Sequence, residues 1–185
     1  GLLALAPAHA ELRIEQLRAL PPLPPTYEKE PSLEARLAWL QQRLAQTQDA
    51  AERYRTQRLQ FDEYFLAHRM SEAAPVCGKN PPLREDIPYR ERCLLASLPE
   101  SEEQLGALQA LAAEAKAMGK RGAAAEVLRG VAWRQSQAGD IAGAFEHFEA
   151  ALSLVPTEQA NLLSDIMMDT AASYIVNGDE AYIRK

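Results

Sequence analysis

The sequence is poor in the residues that favour β-strands. Aromatic residues make up 6% of the chain, and valine, isoleucine and threonine fill only 16 positions, against 33 alanines and 25 leucines. Strands favour β-branched and aromatic side chains, whereas alanine and leucine lose little conformational freedom in a helix. The composition therefore predicts an all-α protein with helices packed closely through small residues. Apolar residues make up 47% of the chain, which argues against intrinsic disorder.

The chain also lacks a basic patch and a long apolar run. Its net charge is −6 and its isoelectric point about 5.2. An acidic surface repels phosphate backbones, so nucleic acid is not an expected partner. A membrane-spanning helix needs about 20 apolar residues. We therefore expect contact with a membrane only through segments outside this chain.

The apolar run at residues 1–10 ends in Ala8-His9-Ala10, with Pro7 just before it. This small-x-small pattern is typical of a signal-peptidase site. We interpret residues 1–10 as a signal-peptide remnant, which makes the mature chain begin at Glu11 and predicts a periplasmic protein. A frayed N-terminal helix is the alternative.

Only two cysteines occur, Cys77 and Cys93, and the segment between them is rich in proline. We expect an irregular loop over residues 75–88. In an exported chain this arrangement favours a single disulfide, and closing a loop of about 15 residues is worth roughly 3 kcal/mol. Two free thiols are the alternative. A metal site would need further ligands, which His68 alone does not supply, so we expect no metal and no cofactor.

The first half of the chain contains one long helical pattern. Residues 11–31 predict a short helix followed by a proline-rich spacer. No glycine or proline interrupts residues 32–74, and apolar residues recur there at helical steps. The pattern predicts a single long helix or, because Thr47 interrupts the stripe, a two-helix hairpin that bends near residues 46–49. The stripe faces a core or, alternatively, pairs two copies into a homodimer through residues 32–69. Its members are Leu33, Leu37, Leu40, Leu44, Ala51, Tyr54, Phe61 and Phe65.

The second half is divided by glycines that follow amphipathic stretches, at Gly119, Gly139 and Gly178. Helix, glycine turn and helix in repetition predict an α-solenoid over residues 100–185. Ser101, with Gln104 three residues later, indicates a capped helix start.

Residues 125–158 resemble the tetratricopeptide repeat (TPR). The match departs at Gln135, where tyrosine is usual, and at Leu128, where tryptophan is usual. A second, incomplete unit begins near Ser164, and we expect the natural protein to continue past Lys185 because an open solenoid end needs a cap. The residues that carry the match are Leu128, Val131, Ala132, Gly139, Asp140, Ala144, Phe148, Ala151 and Pro156.

The resemblance implies that the first helix of each repeat lines a concave groove. Carried onto this chain, the groove positions have spacings that put them on one helix face. Arg129 beside Trp133 would anchor a peptide carboxylate or an aromatic group; alternatively, Trp133 packs against the preceding helix. Asp165 and Asp169 would hold a cation or face solvent. The expected groove residues are Glu126, Arg129, Trp133, Ser136, Asp165 and Met168.

No pattern for catalysis is present in the sequence. The three histidines lack metal-ligand spacing, and there is no G-x-S-x-G, GxGxxG or P-loop. We therefore expect this chain to be non-catalytic.

An exported TPR-like region is similar to the periplasmic sensor region of bacterial membrane-anchored GGDEF-type diguanylate cyclases, although no cyclase motif lies in these residues. This resemblance implies an input domain, tethered to the inner membrane in the full-length protein, that binds a peptide, a protein or a small molecule. The alternative is a free periplasmic scaffold or envelope assembly factor.

Overall fold

The computed structural model describes residues 12–29 and 32–177, which contain helices and no strand. The all-α class is therefore confirmed for this part of the chain. The expected signal-peptide remnant at residues 1–10 and the turn at Gly178 lie outside the described residues. The chain divides into two compact units, Gly1–Pro99 and Glu100–Lys185. The helices are α1 (Ile14–Arg18), α2 (Pro25–Glu28), α3 (Leu33–Gln46), α4 (Ala50–Leu66), α5 (Met70–Lys79), α6 (Ile87–Ser97), α7 (Glu102–Ala117), α8 (Arg121–Gln137), α9 (Ile141–Leu154) and α10 (Ala160–Asn177).

In the first unit, α3 and α4 form a two-helix hairpin, which is one of the two structures that the sequence allowed. The other, a single long helix, is wrong. Thr47 has extended backbone angles, which end α3, and the Asp49 carboxylate accepts a hydrogen bond from the Glu52 N–H at 2.8 Å, which caps α4. Arg43 pairs with Glu52 at 2.9 Å next to the turn. Arg36 pairs with Glu63 farther from the turn, so the two helices are antiparallel.

The apolar stripe of α3 and α4 faces the core of its own unit. Leu40, Tyr54 and Phe61 are fully buried, and Tyr54 and Phe61 pack with Tyr89 of α6. Homodimerisation through residues 32–69 stays a prediction, but these three side chains are already covered within the chain.

The segment over residues 75–88 is more helical than the sequence indicated. Helix α5 continues through Pro75 to Lys79, and α6 begins at Ile87, so only residues 80–86 are irregular. Pro75 removes one helical hydrogen bond, but buried Ala73 and Cys77 hold α5 against the core. The expected disulfide is present and joins Cys77 in α5 to Cys93 in α6, with their Cα atoms 5.9 Å apart.

A buried polar network holds the irregular segment between α5 and α6. The carboxylate of Asp86 lies 2.9 Å from the Arg58 guanidinium and accepts a hydrogen bond from the Tyr54 hydroxyl at 3.3 Å. The Tyr54 hydroxyl in turn accepts one from the Leu83 N–H at 2.9 Å. Burial raises the pKa of Asp86, and the opposing effect of Arg58 does not cancel it.

A second polar contact ties α2 to the α3–α4 hairpin. Arg36 donates from Nε and Nη2 to the two oxygens of Glu63, both at 2.9 Å, and the Tyr27 hydroxyl donates to the same carboxylate at 2.6 Å. The Tyr27 ring lies 5.1 Å from that of Trp39. Burial alone would raise the pKa of Glu63, but the hydrogen bonds from Arg36 and Tyr27 outweigh it, and the net shift is downward.

The second unit is a succession of helices joined by short turns. The Ser101 hydroxyl caps α7 by accepting from the Gln104 N–H at 3.2 Å. Gly119 and Gly139 have φ angles of +74° and +85°, which explains glycine at the ends of α7 and α8. Helices α8 and α9 are antiparallel, because Arg121 at the start of α8 donates to the Ser153 carbonyl near the end of α9, at 3.0 Å.

The alanine and phenylalanine residues of the repeat pattern are buried between helices. Ala132, Ala144 and Ala151 are fully buried where α8 and α9 approach, and Phe148 is buried with them. Helix α9 ends at Leu154, two residues before Pro156. Helix α10 packs against both α8 and α9, and the rings of Phe145 and Tyr174 stack with centroids 3.9 Å apart.

Candidate functional site

Helices α8 and α10 lie side by side and run in the same direction. The side chain of Gln159, just before α10, fills the space in front of Gly122 near the start of α8. About two to three turns farther along both helices, Arg129 of α8 contacts Asp165 and Asp169 of α10. Because of this register, we treat the positions on the two helices that flank these contacts as one candidate surface. We call it the α8/α10 face, and its residues are Glu126, Arg129, Trp133, Asp165, Met168, Asp169 and Ile175.

Three carboxylates surround the single guanidinium of the α8/α10 face. Arg129 Nε donates to Asp169 Oδ2 at 2.5 Å, while Nη1 lies 3.4 Å from Asp165 Oδ2 and 3.6 Å from Glu126 Oε2. Burial would lower the pKa of Arg129, but the hydrogen bond to Asp169 and the nearby negative charges outweigh it, so the net shift is upward. The guanidinium is therefore held firmly in its charged form and is committed to partners within the chain.

Apolar side chains on the same face are open to solvent. Trp133 is 39% exposed, one turn beyond Arg129, and Met168 and Ile175 are 68% and 78% exposed on α10. Met168 and Ile175 are seven residues apart and so lie on one side of the helix. Burying such side chains against a partner is worth about 1.5–3 kcal/mol each, which gives this face the means to bind.

Five of the six expected groove residues lie at exposed or half-buried positions on α8 and α10, within the α8/α10 face as defined above. The exception is Ser136, which is only 3% exposed and so lies outside the accessible surface. Trp133 is 39% exposed, and its packing against the preceding helix stays the alternative interpretation. The residues that reach the face are Glu126, Arg129, Trp133, Asp165 and Met168.

Sequence reasoning missed the ion pair between Arg129 and Asp169. The four-residue spacing of Asp165 and Asp169 places both on one side of a helix, which is the signal that was available. It also missed Leu163 and Met167, which are exposed on α10 and four residues apart.

The described residues offer little for metal binding. In residues 12–29 and 32–177, no group of three or more His, Cys, Asp or Glu side chains could hold a metal ion. His147 is engaged on both ring nitrogens, with the Gly143 carbonyl at 2.8 Å and the Gln109 amide at 3.0 Å. Among the helices of the described part, none is long and apolar enough to cross a membrane.

In a comparison with known proteins, no family model, curated protein or solved structure matches the chain.

Proposed function

We propose that this chain is a non-catalytic binding module, with the α8/α10 face as its binding surface. Its helical pairs would act as the periplasmic input region of a membrane-anchored signalling protein, as the resemblance to TPR-like sensor regions implies. In that setting, occupation of the face by a peptide, a protein or a small molecule is the signal.

The observation that carries this proposal is the exposure of Trp133, Met168 and Ile175 on two adjacent helices. Tryptophan is enriched among the residues that dominate binding energy at interfaces, and methionine adapts its shape to different partners. The three residues occupy positions of the kind that line the groove in TPR-like stacks.

The disulfide between Cys77 and Cys93 supports the exported location. Disulfides persist in oxidising compartments such as the bacterial periplasm and are rare in the cytosol. Both sulfurs belong to side chains that are more than nine-tenths buried, so the bond is protected once formed.

Site-specific photo-crosslinking in cells tests the proposed surface. A photoreactive amino acid at Met168 is expected to capture a partner, whereas the same group at Glu149, which is exposed on α9, is expected to capture none. If adducts are absent at position 168, or equal at both positions, the α8/α10 face is not the binding surface.

The alternative function, a free periplasmic scaffold or assembly factor, makes a different prediction for cell fractionation. A tethered sensor sediments with membranes and resists extraction with salt, whereas a free scaffold is released with the periplasmic contents. The native protein, detected by an antibody against this chain, distinguishes the two.

A further inference from the structure

We propose that the partner of the α8/α10 face is a basic amphipathic segment of another protein. This inference rests on the function proposed above and deepens it by stating the chemistry of the partner. Its basis is the charge that the folded structure leaves on the face.

The face keeps an excess of negative charge. Glu126, Asp165 and Asp169 surround Arg129, so three carboxylates face one guanidinium. The side chains of Glu126 and Asp165 are 51% and 53% exposed, which leaves them accessible to a partner. Helix α10 carries no lysine or arginine between residues 160 and 177 to offset its two aspartates.

Because Arg129 is already paired within the chain, the expected charge of the ligand is opposite to the one that the sequence suggested. A free arginine beside Trp133 would favour a carboxylate ligand, but Arg129 already donates to Asp169 and lies against Asp165 and Glu126. An incoming carboxylate would have to displace these contacts and would meet repulsion from the groups it displaced. Lysine or arginine side chains would instead meet exposed carboxylates that still accept hydrogen bonds.

The apolar side chains define the remaining chemistry of the partner. Met168 and Ile175 lie two turns apart on an 18-residue helix, with Trp133 on the neighbouring helix. A helix laid on this surface would bury an apolar stripe with the same two-turn spacing. An acidic chain with a net charge of −6 also attracts a cationic segment at a distance and repels anionic lipid surfaces.

Two designed peptides test the inference on the full chain. Both have about 18 residues, to match the length of α10, and share one leucine stripe; one carries lysine on its polar face and the other carries glutamate. Calorimetric titration is expected to show binding of the Leu/Lys peptide at least tenfold tighter than that of the Leu/Glu peptide, with an affinity that falls as salt is added. Equal affinity for the two peptides, or binding of neither, overturns the inference.

Matched variants separate a specific site from general attraction to an acidic protein. The double variant Glu126→Gln/Asp165→Asn is expected to weaken binding of the Leu/Lys peptide about tenfold. Glu146→Gln/Glu149→Gln removes two charges from exposed positions on α9 and is expected to weaken it less than twofold. Equal losses for the two pairs would show that only net charge matters and would overturn the inference.

The crosslinking experiment at Met168 distinguishes failure of this inference from failure of the proposed function. A captured partner whose crosslinked segment is basic supports both. A captured segment that is acidic or neutral, or a second copy of this chain, keeps the binding surface and overturns the basic partner. Absence of any adduct overturns the binding surface itself.

Discussion

Arg129 of α8 and Asp169 of α10 are joined by a hydrogen-bonded ion pair of 2.5 Å that links two helices 40 residues apart in sequence. Both side chains are about three-quarters buried, so solvent screens the pair less than it screens exposed charges. The pair also determines the character of the α8/α10 face, because it removes the only cation of that face from a partner's reach. If the α8/α10 face binds a partner as proposed, stability and binding specificity depend on the same residue.

Replacing Arg129 with methionine is expected to lower the free energy of unfolding by about 1–2 kcal/mol, because Asp169 loses its charged donor while remaining largely buried. The double-mutant cycle with Asp169→Asn, measured by urea denaturation, isolates the energy of the pair. Arg134→Met is the matched control, since Arg134 donates only to the Gly130 carbonyl of its own helix among the contacts described, and we expect a loss below about 0.5 kcal/mol. A coupling energy near zero would contradict the pair's role.

Reduction of the disulfide, or the double substitution Cys77→Ser/Cys93→Ser, is expected to destabilise the first unit by about 3 kcal/mol, because the unfolded chain regains the freedom that the cross-link removes. Urea denaturation with and without a reducing agent measures this loss. Alkylation followed by mass spectrometry should count two thiols only after reduction. Two reactive thiols in the untreated protein, purified without a reducing agent, would contradict the disulfide.

Two glycine substitutions are expected to have opposite effects. A Cβ at Gly143 would lie 2.6 Å from Gln135 Nε2 and would also collide with the Asp140 carboxylate, whose Oδ1 caps α9 through the Gly143 N–H at 3.0 Å. Gly143→Ala should therefore disturb the cap and cost about 1 kcal/mol. Gly106 lies within α7 with open space in front of it, so Gly106→Ala should stabilise by about 0.5–1 kcal/mol.

Thermal denaturation of both glycine variants beside the wild type provides the comparison. The melting temperature of Gly106→Ala should rise, and that of Gly143→Ala should fall. If both variants gain stability equally, helix propensity alone determines the effect at the two positions, and the contacts around Gly143 contribute nothing to stability.

The stabilising effect of Glu63 is expected to disappear in acid. Its pKa is lower in the folded chain than the ordinary 4.5, so the folded state favours the ionised form. The resulting stability is present above the unfolded pKa and is lost as the pH falls through the folded pKa. Glu63→Gln should cost about 2 kcal/mol at pH 7 and progressively less below pH 4.5. A cost that does not change with pH would contradict the ion pair with Arg36.

Asp86 is expected to show the opposite dependence on pH. Burial raises its pKa above the ordinary 3.8, so its contribution to stability is complete below the unfolded pKa and is lost as the pH rises through the folded pKa. Asp86→Asn keeps an oxygen that can accept from the Tyr89 N–H. As the pH rises from 3.8 to neutrality, the stability of this variant relative to the wild type should therefore increase, whereas the relative stability of Glu63→Gln should decrease. Denaturation curves recorded at several pH values across this range, for both variants and the wild type, measure how the free energy of unfolding changes with pH.

The sequence predicted the helices best where local chemistry determines them. Ser101 caps α7, and Gly119 and Gly139 end α7 and α8 with positive φ angles, because each of these effects needs only neighbours along the chain. The cysteine pair was predicted for a similar reason, since only two cysteines exist. The helix over residues 75–79 was not predicted, because a proline disfavours the interior of a helix. Burial of Ala73 and Cys77 against the core stabilises α5 despite Pro75.

What the sequence by itself determined is the all-α class, the cysteine pair, the helix boundaries at Ser101, Gly119 and Gly139, and the periodic positions from which six groove residues were named. Only the tertiary structure decided that α3 and α4 fold back on each other and that Ser136 is buried. It also decided that Arg129 is already paired across the face. The physical reason is distance along the chain: periodicity fixes which residues share a helix face, but the charge that a face presents depends on which other helix packs beside it.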